Sequence, residues 1–232
     1  MIGIVIPAHD EAAHIAIAVE AAMRATAHPA LAGEPVQVLV VLDDCADATG
    51  AIAAAHGART LALQARNVGI ARAAGAEALI DAGARWLAFT DADTRVSPDW
   101  LAAQLALQAD AVCGAVGVED WSAHAACADA LRAHFAHHYT DADGHAHVHG
   151  ANLGVSAEAY RRAGGFAPLA CGEDVALVRA LQTCGARIAW SAQPRVVTSA
   201  RTDARARGGF GDTLLAMAAG LVPAVLPLVA DA

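Results

Sequence analysis

Lysine is absent from this sequence: all 15 basic residues are arginine. That removes a Schiff-base lysine and the lysine of a phosphate-binding P-loop. Like the abundance of alanine, it reads first as a compositional bias and only second as chemistry. No clustered basic face is visible, and with a formal charge of -9 and a pI near 5.6 the chain is not expected to bind nucleic acid. Binding an anion would then need local devices: a metal, helix N-termini or a few placed arginines. The five cysteines, Cys45, Cys113, Cys127, Cys171 and Cys184, are odd in number and lack CxxC spacing. A zinc site or disulfide framework is therefore not expected, and a reducing cytoplasm fits. No basic leader with a cleavage site precedes the strand-like Ile2-Gly3-Ile4-Val5-Ile6, so no secretion signal is expected. No segment before the last twenty residues approaches a membrane span. The position after the first strand reads Pro-Ala-His-Asp-Glu, not GxGxxG, which counts against a nicotinamide oxidoreductase. The same position lacks the glycine-rich basic loop of a nucleotidyltransferase. Internal repeats and low-complexity linkers are also missing.

Short apolar runs alternate with alanine-rich helical stretches, the pattern of a parallel sheet covered by helices. At 232 residues the chain suits one domain, with or without a short appendage. Strands are predicted over 2–6, 36–42, 59–63, 86–90 and 112–118. Helices are predicted over 11–27, 46–56, 67–82 and 98–107, the last with Ser97 as cap and Pro98 in its first turn. Beyond Val118 the alternation loosens. Helices are expected over 122–138, 157–164 and 174–185, with a polar loop over 141–149, a strand over 187–190 and a long loop over 201–211.

The most informative stretch is Thr90-Asp91-Ala92-Asp93-Thr94, directly after an apolar run. On a strand, Asp91 and Asp93 would share a face at the carboxyl end, where α/β sheets bind ligands. Paired hard oxygens suit Mg²⁺ or Mn²⁺ held against a diphosphate; an ordinary acidic turn is the plain alternative. Four more constellations lie at strand ends or just beyond. Pro7-Ala8-His9-Asp10-Glu11 could simply place acids at a helix N-terminus. Asp43-Asp44-Cys45-Ala46-Asp47 holds three acids where one cap needs one. Gly150-Ala151-Asn152-Leu153-Gly154 is a small-residue stretch that lets backbone approach a ligand. Cys171-Gly172-Glu173-Asp174 is a second acidic pair, at a helix start.

In this order the residues resemble glycosyltransferase family 2 on the GT-A fold, from Ile2 to about Gly209. Ile4-Val5-Ile6-Pro7-Ala8-His9-Asp10-Glu11 is similar to that family's opening strand and turn. Val41-Leu42-Asp43-Asp44-Cys45-Ala46-Asp47 resembles its Val-Asp-Asp-Gly-Ser-x-Asp element, with Cys45-Ala46 replacing Gly-Ser. Asn67-Val68-Gly69-Ile70-Ala71-Arg72-Ala73 resembles its Asn-x-Gly-x-x-x-Ala segment, Asp91-Ala92-Asp93 its metal-binding motif, and Gly172-Glu173-Asp174 its base-bearing acidic pair.

The resemblance implies an α/β fold with a mostly parallel nucleotide-binding half (1–118), a mixed acceptor half (119–212) and an apolar tail (213–232). It implies a metal-dependent, inverting transfer of one sugar from a UDP- or GDP-sugar to a small or lipid-linked hydroxyl acceptor. Donor contacts would come from Pro7, Ala8, Asp10, Glu11, Asp43, Asp44, Asn67, Arg72, Asp91, Asp93 and Arg201. Asp93, with Asp91, would hold the divalent cation, Mn²⁺ or Mg²⁺. Asp174, with Glu173, would deprotonate the acceptor beside Asn152 and His149. The alternatives are a non-catalytic nucleotide-sugar-binding protein of the same fold, or a nucleotidyltransferase. The Gln-x-x-Arg-Trp element of processive synthases is absent.

Arg205 and Arg207, with Arg201, would clamp the diphosphate or form a solvated loop. The histidines His134, His137, His138, His145, His147 and His149 read as a variable loop over the acceptor site, with zinc binding as the alternative. Pro223 and Pro227 interrupt the tail, which would pack on the domain or a second subunit, or contact a membrane peripherally from the cytoplasmic side.

Overall fold

The structure is a computed structural model and describes residues 1–203 and 210–221. Strand β1 (Ile2–Ala8) is central: Ile2, Ile4, Val5 and Ile6 are fully buried, as a strand covered on both faces requires. It pairs in parallel with β2 (Val36–Asp43) on one side and with β4 (Trp86–Phe89) on the other. Beyond β2, strand β3 (Arg59–Leu63) extends the parallel half. The sheet continues past β4 through β7 (Leu153–Ser156), β6 (Ala111–Gly117), β8 (Ile188–Thr198) and β5 (Thr94–Val96). In that half β7 is antiparallel to β4 and β6, β8 is parallel to β6, and β5 is antiparallel to β8. The result is an eight-stranded mixed sheet whose order reverses at β1, and ligand crevices open at such a switch.

The helices are α1 (Ile15–Thr26), α2 (Thr49–Ala55), α3 (Val68–Asp81), α4 (Trp100–Ala106), α5 (Ala128–His138), α6 (Ala157–Arg162), α7 (Glu173–Thr183) and α8 (Phe210–Leu221). Helix α3 starts where the Asn67 side chain accepts the Ile70 N–H at 3.0 Å, a conventional N-cap.

Several expectations are corrected. The helix predicted from Glu11 begins at Ile15, because 11–14 form a turn whose N–H groups bond to Asp47 and Thr49 at the start of α2. Ser97 is not a cap: its hydroxyl donates to Asp99, and α4 starts at Trp100. The helix predicted over 122–138 is broken at Ala125, whose φ of 46° no helix accommodates. The strand predicted over 187–190 runs on to Thr198, and β5 is an added strand on its outer side.

The chain divides into two compact units, residues 1–117 with 141–198, and 118–140 with 199–232. The whole sheet lies in the first. The second is built around Trp121, Leu131, Ala200 and Leu214, so the start of the apolar tail, in α8, is packed within that unit. Residues 222–232, with Pro223 and Pro227, and residues 204–209, with Arg205 and Arg207, lie outside the described residues. Among the described residues no helix is long and apolar enough to cross a membrane.

Candidate active site

The ends of β1 and β2 are stitched together by reciprocal carboxylate–amide bonds. Asp10 Oδ1 accepts the backbone N–H of Ala46 at 2.8 Å and of Asp47 at 3.3 Å, while Asp47 Oδ2 accepts that of Ala12 at 3.0 Å. The Glu11 N–H donates to Thr49 Oγ1 at 2.8 Å, and buried Glu11 keeps its carboxylate 3.1 Å from His14 Nδ1. Asp10 and Asp44 both take positive φ, 51° and 56°, a region aspartate tolerates better than most residues. Pro7 sits in β1 opposite Val41 and past the last residue paired with β4, so its missing N–H costs no ladder bond on that side. Ala8 is buried next to it, and its carbonyl accepts the Cys45 thiol at 3.3 Å.

The adjacent acids Asp43 and Asp44 do different work. Asp43 is buried, and its carboxylate accepts the N–H groups of Ala65, Arg66 and Asn67 at 2.7, 2.8 and 2.7 Å, tying down the approach to α3. Asp44 is half-buried and pairs with the exposed Arg66 at 3.0 Å. A cavity of about 370 Å³ opens beside them, lined by Asp44, Cys45, Asp47, Gly50, Ala62 and Gln64.

Asp91 and Asp93 do not share a strand face. Strand β4 stops at Phe89, and the pair lies in the turn into β5, with Thr94 N–H closing it on the Asp91 carbonyl at 3.1 Å. The Asp91 carboxylate is held by Arg72 Nη2 at 2.5 Å. The other end of the Arg72 guanidinium bonds Glu173, so one buried cation bridges the turn and the start of α7. Burial works against the charge on Arg72, but Asp91, Glu173 and Asp174 more than compensate and raise its pKa. Burial pushes Glu173 upward, against the pull of Arg72. Phe166 lies under the guanidinium, 5.9 Å from ring centroid to Cζ.

Asp174 is half-buried and accepts the Gly150 N–H at 2.8 Å through Oδ2 and its neighbour Val175 N–H at 2.7 Å through Oδ1. Any Cβ at position 150 would overlap the Arg72 guanidinium, so glycine is needed there. His149 lies alongside; burial lowers its pKa to about 4, which leaves it neutral at physiological pH. The rings of His145, His147 and His149 form a row, stacked at centroid distances of 5.4 and 5.9 Å. His134, His137 and His138 are on α5 in the second unit, so the histidine cluster of the sequence is divided between the two units. Among the described residues no three histidine, cysteine or acidic side chains converge as a metal site.

Of the expected site residues, Pro7, Ala8, Asp10, Glu11, Asp43 and Asp44 meet at the β1 and β2 ends, and Arg72, Asp91, Glu173 and Asp174 form one charged cluster. Asn152 is fully buried: it accepts from Trp100 Nε1 at 2.8 Å and donates to the carbonyls of Ala115 and Pro194 at 2.7 and 2.9 Å. That makes it an internal tie between β6, β8 and α4. Asn67 likewise spends its side chain on backbone, capping α3 and donating to the Pro168 carbonyl at 3.2 Å. Arg201 belongs to the second unit, where it faces Asp203. Gly150 and Asp47 stand in the sequence as motif members without an assigned role, yet each carries a contact that builds the site. For Asp47 the signal was a third acid in a segment where capping needs one.

A parallel half with acids at its strand ends, a mixed half and an acidic helix start are the parts of a GT-A glycosyltransferase. The chain belongs to glycosyl transferase family 2, whose model matches residues 3–161. Solved structures agree on the fold. S. aureus TarS 1-349 in complex with UDP-GlcNAc superposes with a TM-score of 0.64 at 12% identity, over 96% of this chain and 66% of that one. Glucosyl-3-phosphoglycerate synthase from Mycobacterium tuberculosis, in complex with Mn²⁺, UDP and phosphoglyceric acid, gives 0.58 at 20% identity, over 97% and 77%. A structure described only as that of a mycobacterial protein gives 0.58 at 19% identity, over 95% and 75%. The chain thus spans just under two thirds of TarS 1-349 and 40% of the longer TarS structure. No curated protein matches it in sequence.

Proposed function

We propose that this chain is a metal-dependent, inverting glycosyltransferase that moves one sugar from a nucleotide-sugar donor, a UDP-sugar first and a GDP-sugar second, to the hydroxyl of a small or lipid-linked acceptor. The observation that carries this reading is the Arg72 bridge, which ties the Asp91-Ala92-Asp93 turn to Glu173 beside Asp174. A leaving-group site and a base site then share one rigid support.

The roles follow from exposure and from what each carboxylate already binds. Glu173 is enclosed and committed to Arg72, which suits orientation and not proton transfer. Asp174 is more open, and two backbone N–H groups fix its carboxylate, so it is the general base that takes the acceptor proton. The nucleotide fits at the β1 and β2 ends, where the cavity beside Asp44 offers room for the base. Two carboxylates cannot cage a cation alone, and Mg²⁺ or Mn²⁺ characteristically combines one or two carboxylates with substrate phosphates. Asp93 and Asp91 fit that division, Asp93 as the principal ligand because Arg72 already holds Asp91. Once bound, the cation offsets the charge on the departing diphosphate. The mycobacterial neighbour holding Mn²⁺ and UDP supports this choice. The expected setting is the cytoplasm, where five cysteines without CxxC spacing stay reduced.

A thermal-shift panel of UDP-, GDP-, CDP- and dTDP-sugars, each with and without Mn²⁺, tests the reading. A donor at a hundred times its Kd adds about 2.7 kcal/mol, a midpoint rise of roughly 5–10 °C for a domain of this size. A rise for one nucleotide, enhanced by Mn²⁺ and losing that enhancement in Asp93→Ala, is expected. No rise for any of them would overturn the proposal.

A further inference from the structure

The first turns of α3 hold three separate pieces of the site. From β2, Asp43 gathers the N–H groups of Ala65, Arg66 and Asn67 and so fixes where α3 starts. From α3, Asn67 Nδ2 donates to the Pro168 carbonyl at 3.2 Å, and the Gly69 N–H donates to the Leu169 carbonyl at 3.1 Å. Contact is so close at Gly69 that a Cβ would overlap the Ala167 carbonyl oxygen and stand 2.7 Å from that of Leu169. Leu169 leads through Ala170, Cys171 and Gly172, the last in the left-handed region at φ 73°, into Glu173 and Asp174. About one turn along α3 from Gly69, Arg72 grips Glu173 itself. The segment that delivers the acids is therefore gripped at both ends by one helix, and that helix is anchored on the nucleotide-side strand.

We propose that Asn67 and Gly69 are positioning residues that latch the 167–172 segment to the start of α3 and thereby set the distance between the donor-side strand ends and Asp174. This deepens the proposed function and rests on its reading of Asp174 as the base. It also accounts for the asparagine: a donor is needed for Pro168 and an acceptor for Ile70, and asparagine supplies both from one side chain. Glycine at 69 is required by the backbone that crosses it, at a φ any residue could adopt.

Asn67→Asp separates the two jobs, since a carboxylate still caps α3 but cannot donate to Pro168. Gly69→Ala pushes the segment from the other bond. Both variants, in the full chain, should raise amide exchange in 167–172 about tenfold or more, while peptides from β1 and β2 stay protected. A shift of the base by about 1 Å costs on the order of a hundredfold in rate, so kcat should fall about 10- to 100-fold while Kd for UDP stays within about twofold. Unchanged exchange and kcat in both variants would overturn the latch. A loss of UDP affinity parallel to the loss of kcat would also overturn it, making Asn67 a donor contact instead. If the parent transfers no sugar from any donor, the base assignment falls, and the exchange measurement alone decides whether the latch exists.

Discussion

Arg72 and Asp91 are joined at 2.5 Å between Nη2 and Oδ1, so the acidic turn that reads as a cation clamp is itself held by a guanidinium. The same guanidinium satisfies Glu173, and Gly150 leaves the space it occupies. Removing one partner of a buried ion pair leaves the other charged and without compensation, which costs about 3–5 kcal/mol. Arg72→Met should therefore lower stability by about that amount in urea unfolding. Arg72→Met combined with Glu173→Gln should recover part of the loss, because the stranded charge is gone. Additive losses in the double variant would mean that the bridge is not an energetic unit.

His149 gives stability a defined pH dependence. Its pKa falls from an ordinary 6.5 to about 4 on folding, because burial disfavours the charged ring. Between those values the unfolded chain binds the extra proton and the folded one does not. Stability therefore rises with pH across this window and is lost as pH falls from about 6.5 toward 4. The whole effect is about 1–3 kcal/mol after allowance for partial solvent access. Chemical unfolding at pH 7 and pH 5 measures it, and His149→Gln should flatten the difference; an unchanged slope would contradict the burial argument.

Asp43 and Asp44 are neighbours of identical chemistry with opposite expected sensitivities. Asp43→Ala removes a buried carboxylate and strands three backbone N–H groups in a half-buried loop, which should cost about 2–4 kcal/mol. Asp44→Ala removes an exposed pair with Arg66, which should cost less than about 1 kcal/mol. Denaturant midpoints of the two variants read this directly, and equal losses would contradict it.

The succession of strands and helices in the first half, the acids at strand ends and the acidic helix start were legible in the sequence, because alternating apolar runs and acids just beyond them leave a local signature. Where each side chain points was not. The Asp91-Ala92-Asp93 spacing fits a strand face as well as a turn, and only the end of β4 at Phe89 decides between them. Asn152 looks like a ligand-facing polar residue among small ones, yet its partners are contributed by Trp100, Ala115 and Pro194, which no local pattern connects to it. The i, i+2, i+4 spacing of His145, His147 and His149 did carry information: in extended backbone it puts the three rings on one side. The split of the histidine cluster between two units depends on contacts far apart in sequence and left no local trace.

Sugar transfer by Asp174→Asn, measured beside donor binding by the same protein, tests the division of labour most directly. Asparagine keeps the size and one of the two accepting oxygens but cannot take a proton, so turnover should fall about 100- to 10,000-fold while the nucleotide sugar binds as tightly as to the parent. Turnover equal to that of the parent would contradict the account.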